Sequence, residues 1–134
     1  MVNGQSGPQS DKGLSSLGGT ERDRAEKAWG IVSGVKKESW FDQYRNLVKG
    51  SASLVMSNGL ISALAYYTTR SGATKDAAKQ LAEDIAKFAL LDTHTPADAL
   101  EKLVKLDSRH YMLATSEVLA NLRWLRQFVD AVRD

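Results

Sequence analysis

Only two histidines stand in this 134-residue chain, His94 and His110. Imidazole is the usual general base near neutral pH and a common metal ligand, so a catalytic reading begins there. Asp107 lies three residues before His110, a spacing that brings both to one side of a helix, yet two ligands do not hold a metal. A capping aspartate beside a surface histidine has the same spacing and is the simpler reading. Glu83 and Asp84 are adjacent in sequence, and neighbours on a helix point to different faces, so they form no acid/base pair by themselves. Cysteine is absent, which removes thiolate nucleophiles, disulfides and Cys-based metal sites and suits a reducing cytosol. The run Gly13 to Thr20 (GLSSLGGT) nearly spells a phosphate-cradling loop, but Gly19 occupies the lysine position and no strand precedes it. There is no nucleophile elbow and no zincin motif. The expectation is a chain with no catalytic residues, no metal and no cofactor.

What remains for chemistry is charge. The net charge is only +2, but its distribution is uneven. No acidic residue stands between Asp42 and Asp76, while Arg45, Lys49, Arg70 and Lys75 fall inside that window. Arg123, Arg126 and Arg133 form a second basic group near the C-terminus, diluted by Asp130 and Asp134. Arg123 and Arg126 are helical neighbours, and Asp130, four residues beyond Arg126, is placed to neutralise it in part. Such groups bind phosphate; they are also what an ordinary solvated helix face carries. Aromatic rings can stack on bases. Trp29 and Trp124 lie on or beside apolar stripes and read as core, whereas Trp40-Phe41, next to Lys36 and Lys37 in a predicted loop, is the more exposed pair.

The elements that must position these residues are helical. From Glu21, Ala25, Ala28, Trp29 and Val32 recur at three- and four-residue steps, with Gly30 and Gly34 weakening the helix, opening it to close packing or marking its frayed end. Tyr44 to Thr69 is the hydrophobic centre, uncharged from Gly50 to Thr69 but too rich in Ser, Asn and Gly for a membrane span. It reads as a helix buried on most sides. Thr74 is placed to cap a helix whose apolar face is Ala78, Leu81, Ala82, Ile85 and Phe88. Thr95, Pro96 and Asp98 form the sharpest start signal, opening a short helix through Leu100, Leu103 and Val104. A last helix from Asp107 or Ser108 to about Val132 carries Tyr111, Ala114, Val118, Leu122, Leu125 and Val129 on one stripe, roughly 36 Å long. The fold class predicted is all-α, a single-domain bundle of five to six helices over residues 21–134 with a long C-terminal helix. Residues 1–20 hold five of the ten glycines and read as a flexible arm, dispensable for folding. The start MVNGQSGPQSDKG has neither a basic n-region nor an apolar h-region, so no signal peptide is expected.

Three blocks in order carry a family likeness: ERDRAEKAWGIV (Glu21 to Val32), YRNLVKGSASLVMSNGLISALAYY (Tyr44 to Tyr67) and YMLATSEVLANLRWLRQFVDAV (Tyr111 to Val132). The chain from Glu21 to Asp134 resembles the small subunit of the type III-B CRISPR (Cmr) effector complex. The resemblance implies an all-helical, non-catalytic cytoplasmic protein acting in antiviral defence. Its copies would stack on one another beside the backbone and large subunits, lining the path of guide RNA and target RNA. Contacts would go to phosphates without reading sequence. By that resemblance Lys49 falls in a Leu-Val-Lys lead-in and Arg126 in a Trp-Leu-Arg motif, and the RNA-facing set is expected to be Arg45, Lys49, Arg70, Arg123 and Arg126. Gly50 and Gln127 depart from the family by replacing a frequent second basic residue, and Ser51-Ala52-Ser53 lacks a frequent proline. Asn58, Gly59, Glu117 and Trp124 fit the pattern as structural positions, Asn58 as a buried amide. A generic helical adaptor that binds protein and no RNA is the competing reading. Affinity for RNA that falls as salt rises separates the two.

Overall fold

The computed structural model describes residues 20–93 and 95–132. All of the expected arm except Thr20 lies outside the described residues, as do His94, Arg133 and Asp134. Among the described residues six α-helices follow one another: α1 (Glu21–Val35), α2 (Phe41–Asn58), α3 (Leu60–Thr68), α4 (Lys75–Phe88), α5 (Pro96–Leu103) and α6 (Ser108–Ala131). Among the described residues there is no strand, and no helix is long and apolar enough to cross a membrane. The all-α bundle with a long last helix is therefore what the sequence predicts.

Helix starts follow local chemistry. Thr20 and Asp23 exchange side-chain and backbone hydrogen bonds in a capping box, satisfying two of the free N–H groups at the start of α1. Thr95 Oγ1 accepts from the Asp98 N–H at 3.1 Å, with Pro96 in the first turn. Asp107 accepts from the His110 N–H at 2.8 Å and also meets its Nδ1 at 2.9 Å, so this pair is the cap that its spacing suggests. Thr74 does not behave as expected. It makes no side-chain cap on α4; its hydroxyl instead accepts from Arg70 Nη2 at 3.4 Å.

The centre also differs from the sequence reading. Tyr44 to Thr69 is two helices, because Gly59 adopts φ +92° and breaks the run. That region is open to glycine and strained for L side chains. The Ile61 N–H, orphaned by the break, donates to the Tyr111 hydroxyl at 3.1 Å. Asn58, expected to be buried, is exposed at the end of α2. Gly30 and Gly34 face solvent with open space around them, so close helix packing is not their role.

The core forms where α6 packs along α1 and α2, and α4 packs against α2, α3, α5 and α6. Val118, Leu122, Leu125 and Val129 on α6, and Leu81, Ile85 and Phe88 on α4, are essentially inaccessible. Burial of such side chains stabilises by about 1.5–3 kcal/mol each, before the entropy of ordering is subtracted. Among the described residues Ser51, Asp84, Glu117 and Asn121 are the polar side chains buried in this interior. Trp29 is 46% exposed, packing edge-on against Phe128 with centroids 5.1 Å apart, so it belongs to the rim rather than the core. Trp124 is likewise half-buried, and its indole N–H donates to Glu21 Oε1 at 2.6 Å. Trp40 is no free aromatic either: it precedes α2 and packs against Tyr44, while Phe41 is buried.

Candidate nucleic-acid interface

Arg45 and Lys49 lie one turn apart on α2, and Arg126 and Asp130 one turn apart on α6. The packing of these two helices brings all four together. Asp130 Oδ1 takes Lys49 Nζ at 3.0 Å and Arg45 Nη1 at 3.5 Å. The hydrogen bond from Lys49, and then the Arg45 charge, hold the Asp130 carboxyl below its ordinary range. Arg126 is not neutralised by Asp130 as its spacing suggests. Its Nη1 donates instead to the Lys49 carbonyl oxygen, tying the surface of α6 to α2. Lys49 and Arg45 thus share one carboxylate, and Arg126 stands beside them on a backbone carbonyl, so the cluster holds three cations and one anion.

The three are not equivalent. Arg45 is largely buried, its side chain 13% exposed, and it is turned to Asp130. Lys49 is 35% exposed at its side chain and Arg126 faces solvent, so these two present the excess outward. Ser51 is buried, and its hydroxyl closes back onto the Val48 carbonyl at 2.8 Å. Arg123, one turn before Arg126, is exposed and close enough to Glu21 to help hold that carboxyl low, after the Trp124 hydrogen bond and Arg24.

Arg70 is not part of this group. It follows α3, with its guanidinium carbon 4.9 Å from the centroid of the Tyr66 ring. The basic residues singled out in the sequence therefore fall into an α2–α6 cluster, a neighbour on α6 (Arg123), and a separate corner at the end of α3.

Two buried arrangements escaped the sequence reading. Arg24 on α1 grips Glu117 on α6 with a two-point fork, Nε to Oε2 at 3.0 Å and Nη2 to Oε1 at 2.9 Å, and reaches Glu21 at 3.1 Å. Asn121 Nδ2 donates to the Glu117 carboxylate at 2.9 Å and to its backbone carbonyl at 2.8 Å. Glu117 is structural, as its family position implies, but its partner lies 93 residues away. Asp84 is fully buried, accepting from the Tyr44 hydroxyl at 2.6 Å and Gln80 Nε2 at 2.9 Å. Desolvation pushes its carboxyl up to about 6 against the opposing effect of those hydrogen bonds, and burial pushes the Tyr44 phenol up as well. The burial of these polar residues was signalled, though the Arg24 partner was not: Asp84, Glu117 and Asn121 all sit on the apolar stripes of their helices. Among the described residues, no group of three or more His, Asp or Glu could hold a metal ion.

The comparisons with known proteins agree with one another. The family model described as CRISPR-associated protein (Cas_Cmr5) matches residues 20–132. The chain is 31% identical over 109 residues to the CRISPR system Cmr subunit Cmr5 of Thermus thermophilus, covering 81% of this chain and 90% of that one. The crystal structure of a CRISPR-associated Cmr5 family protein, also from Thermus thermophilus, superimposes with a TM-score of 0.74 at 26% identity, covering 85% of this chain and 100% of the other. The likeness carried by three blocks of sequence is thereby extended through every described helix, and the chain belongs to the Cmr5 family of CRISPR-associated proteins.

Proposed function

We propose that the chain is the non-catalytic small subunit of a type III-B CRISPR effector ribonucleoprotein in the cytoplasm. Copies of it stack beside the Cmr backbone and large subunits and line the path of guide RNA and target RNA. The observation that carries the RNA-binding part is the α2–α6 cluster, where Lys49 and Arg126 face outward and the one carboxylate, Asp130, is shared by Lys49 and Arg45 while Arg126 is held by a backbone carbonyl. Arg45 positions Asp130, which in turn holds Lys49, and Arg123 extends the positive surface along α6. A surface of this kind suits phosphates of any sequence, which is all that a lining subunit requires when base pairing supplies specificity. The relatives' description as a Cmr subunit supports the assembly; the small helical fold and the capping role of the His110–Asp107 pair support the absence of catalysis.

The test is Lys49→Glu combined with Arg126→Glu in every copy of the assembled complex, after helicity and assembly are checked. Target binding at physiological salt should weaken about equally for every RNA sequence. The slope of log affinity against log salt should fall by roughly one unit per lost phosphate contact. Undiminished binding would make these two residues ordinary solvated charges and favour a protein-binding adaptor.

A further inference from the structure

The corner that Arg70 occupies has a different composition from the α2–α6 cluster. Tyr66 is 43% exposed near the end of α3, braced edge-on by Tyr67, which is itself buried, with centroids 5.3 Å apart. The Arg70 guanidinium lies over the Tyr66 ring and is steadied by the Thr74 hydroxyl. Arg70 also lines a hollow of about 270 Å³ together with Lys75 and Lys79 on α4 and Thr95 and Pro96 at the start of α5. Glu83, one turn beyond Lys79, is the carboxylate of that lining and leaves a net excess of two positive charges among Arg70, Lys75, Lys79 and Glu83. Lys75 and Lys79 are both exposed and stand one helical turn apart, about 6 Å along the axis.

A cation on an exposed tyrosine, beside a pair of evenly spaced lysines, is more than a phosphate patch. Aromatic rings and guanidinium planes are the surfaces on which unpaired bases stack, and a duplex keeps its bases inside its own stack. We propose that this corner binds single-stranded RNA: an unpaired base stacks on the Tyr66–Arg70 pair and the flanking phosphates are held by Lys75 and Lys79. The inference deepens the reading of the chain as an RNA-lining subunit and rests on it. It assigns unpaired nucleotides to the α3–α4 corner and sequence-indifferent backbone contact to the α2–α6 cluster.

Fluorescence anisotropy on the full chain tests it, with a labelled twelve-nucleotide oligouridine as the single strand and a blunt RNA duplex of equal length as the control. Tyr66→Ala should weaken the single strand by roughly tenfold, within the range that stacking of one base supplies, and leave the duplex unchanged. Tyr66→Phe should restore binding, and Arg70→Lys, which keeps the charge, should fall between. Equal losses on both RNAs would reduce the corner to plain charge and overturn the inference. It is overturned equally if neither RNA responds to Tyr66→Ala, or if the wild-type chain holds no single strand. The Lys49→Glu, Arg126→Glu complex is scored separately, so failure of that test with the Tyr66 effect intact removes the α2–α6 assignment and not this one.

Discussion

Helix α6 carries two charge clusters of opposite design. Toward its middle, Glu117 receives a two-point fork from Arg24 and a hydrogen bond from Asn121, while Glu21 takes the remaining Arg24 nitrogen and the Trp124 indole. With Arg123 beside Glu21, two carboxylates there face two guanidinium groups, and Glu117 is nearly dry, its side chain 8% exposed. Near its end, Asp130 faces Lys49 and Arg45 while Arg126, on the solvent side, holds a backbone carbonyl rather than a carboxylate. A matched, dry cluster fixes how α1 sits on α6 and has little charge to offer a ligand. An unmatched, wet one does little for the fold and remains attractive to anions.

The contrast is broken most sharply by Glu117→Ala. Removing one partner from a buried pair strands the other, so the variant should lose about 3 kcal/mol in urea denaturation. Lys49→Ala and Arg126→Ala should each stay within about 0.5 kcal/mol of wild type in the same assay. Equal losses at both ends would mean that the outer cluster is also structural.

Asp84 sharpens the comparison as a buried carboxylate held by hydrogen bonds from a phenol and an amide rather than by a cation. Its folded pKa of about 6 stands above the ordinary 3.8, so the folded state binds the proton more tightly. Stability from this group is full below the unfolded pKa and is lost as pH rises through 6. On lowering pH from 7 to 5, wild type should gain about 1 kcal/mol relative to Asp84→Asn, whose amide keeps the Tyr44 bond without titrating. Parallel pH–stability curves for the two proteins would show that Asp84 is ionised throughout.

An effect of the opposite sign belongs to a site in neither cluster. Gly30 lies inside α1, exposed, with nothing within 4 Å of an added Cβ, so Gly30→Ala should raise stability by about 0.7 kcal/mol. No gain in thermal midpoint would place a contact there that solvent exposure does not reveal.

Much of the bundle was legible because its signals are local. Thr95-Pro96, Asp107 and the stripe from Ala114 to Val129 act within a turn or along one face, and each does what its spacing says. Lys49 and Arg126 could be singled out, but their juxtaposition could not, since it depends on how α2 crosses α6. Arg24–Glu117 was hidden for the same reason. Asp84 was a missed inference rather than an invisible one: a residue three after Leu81 and four before Phe88 lies on the buried stripe whatever its charge. Gly59 gave an ambiguous signal, since Asn-Gly flanked by helical spacing on both sides suits one continuous helix as well as two.

That break at Gly59 bears on the order in which the chain can fold. Helix α3 has nine residues and no side-chain cap from its own neighbourhood; its Ile61 amide waits for the Tyr111 hydroxyl, fifty positions downstream. So short a helix is unstable in isolation. During synthesis the uncharged stretch from Gly50 to Thr69 therefore leaves the ribosome well before the group that closes its central break, and the start of α3 gains its last hydrogen bond only once the first turns of α6 have docked. The Ile61 amide should exchange with solvent only as fast as α6 detaches, which makes that single proton a reporter on the cooperativity of the whole bundle.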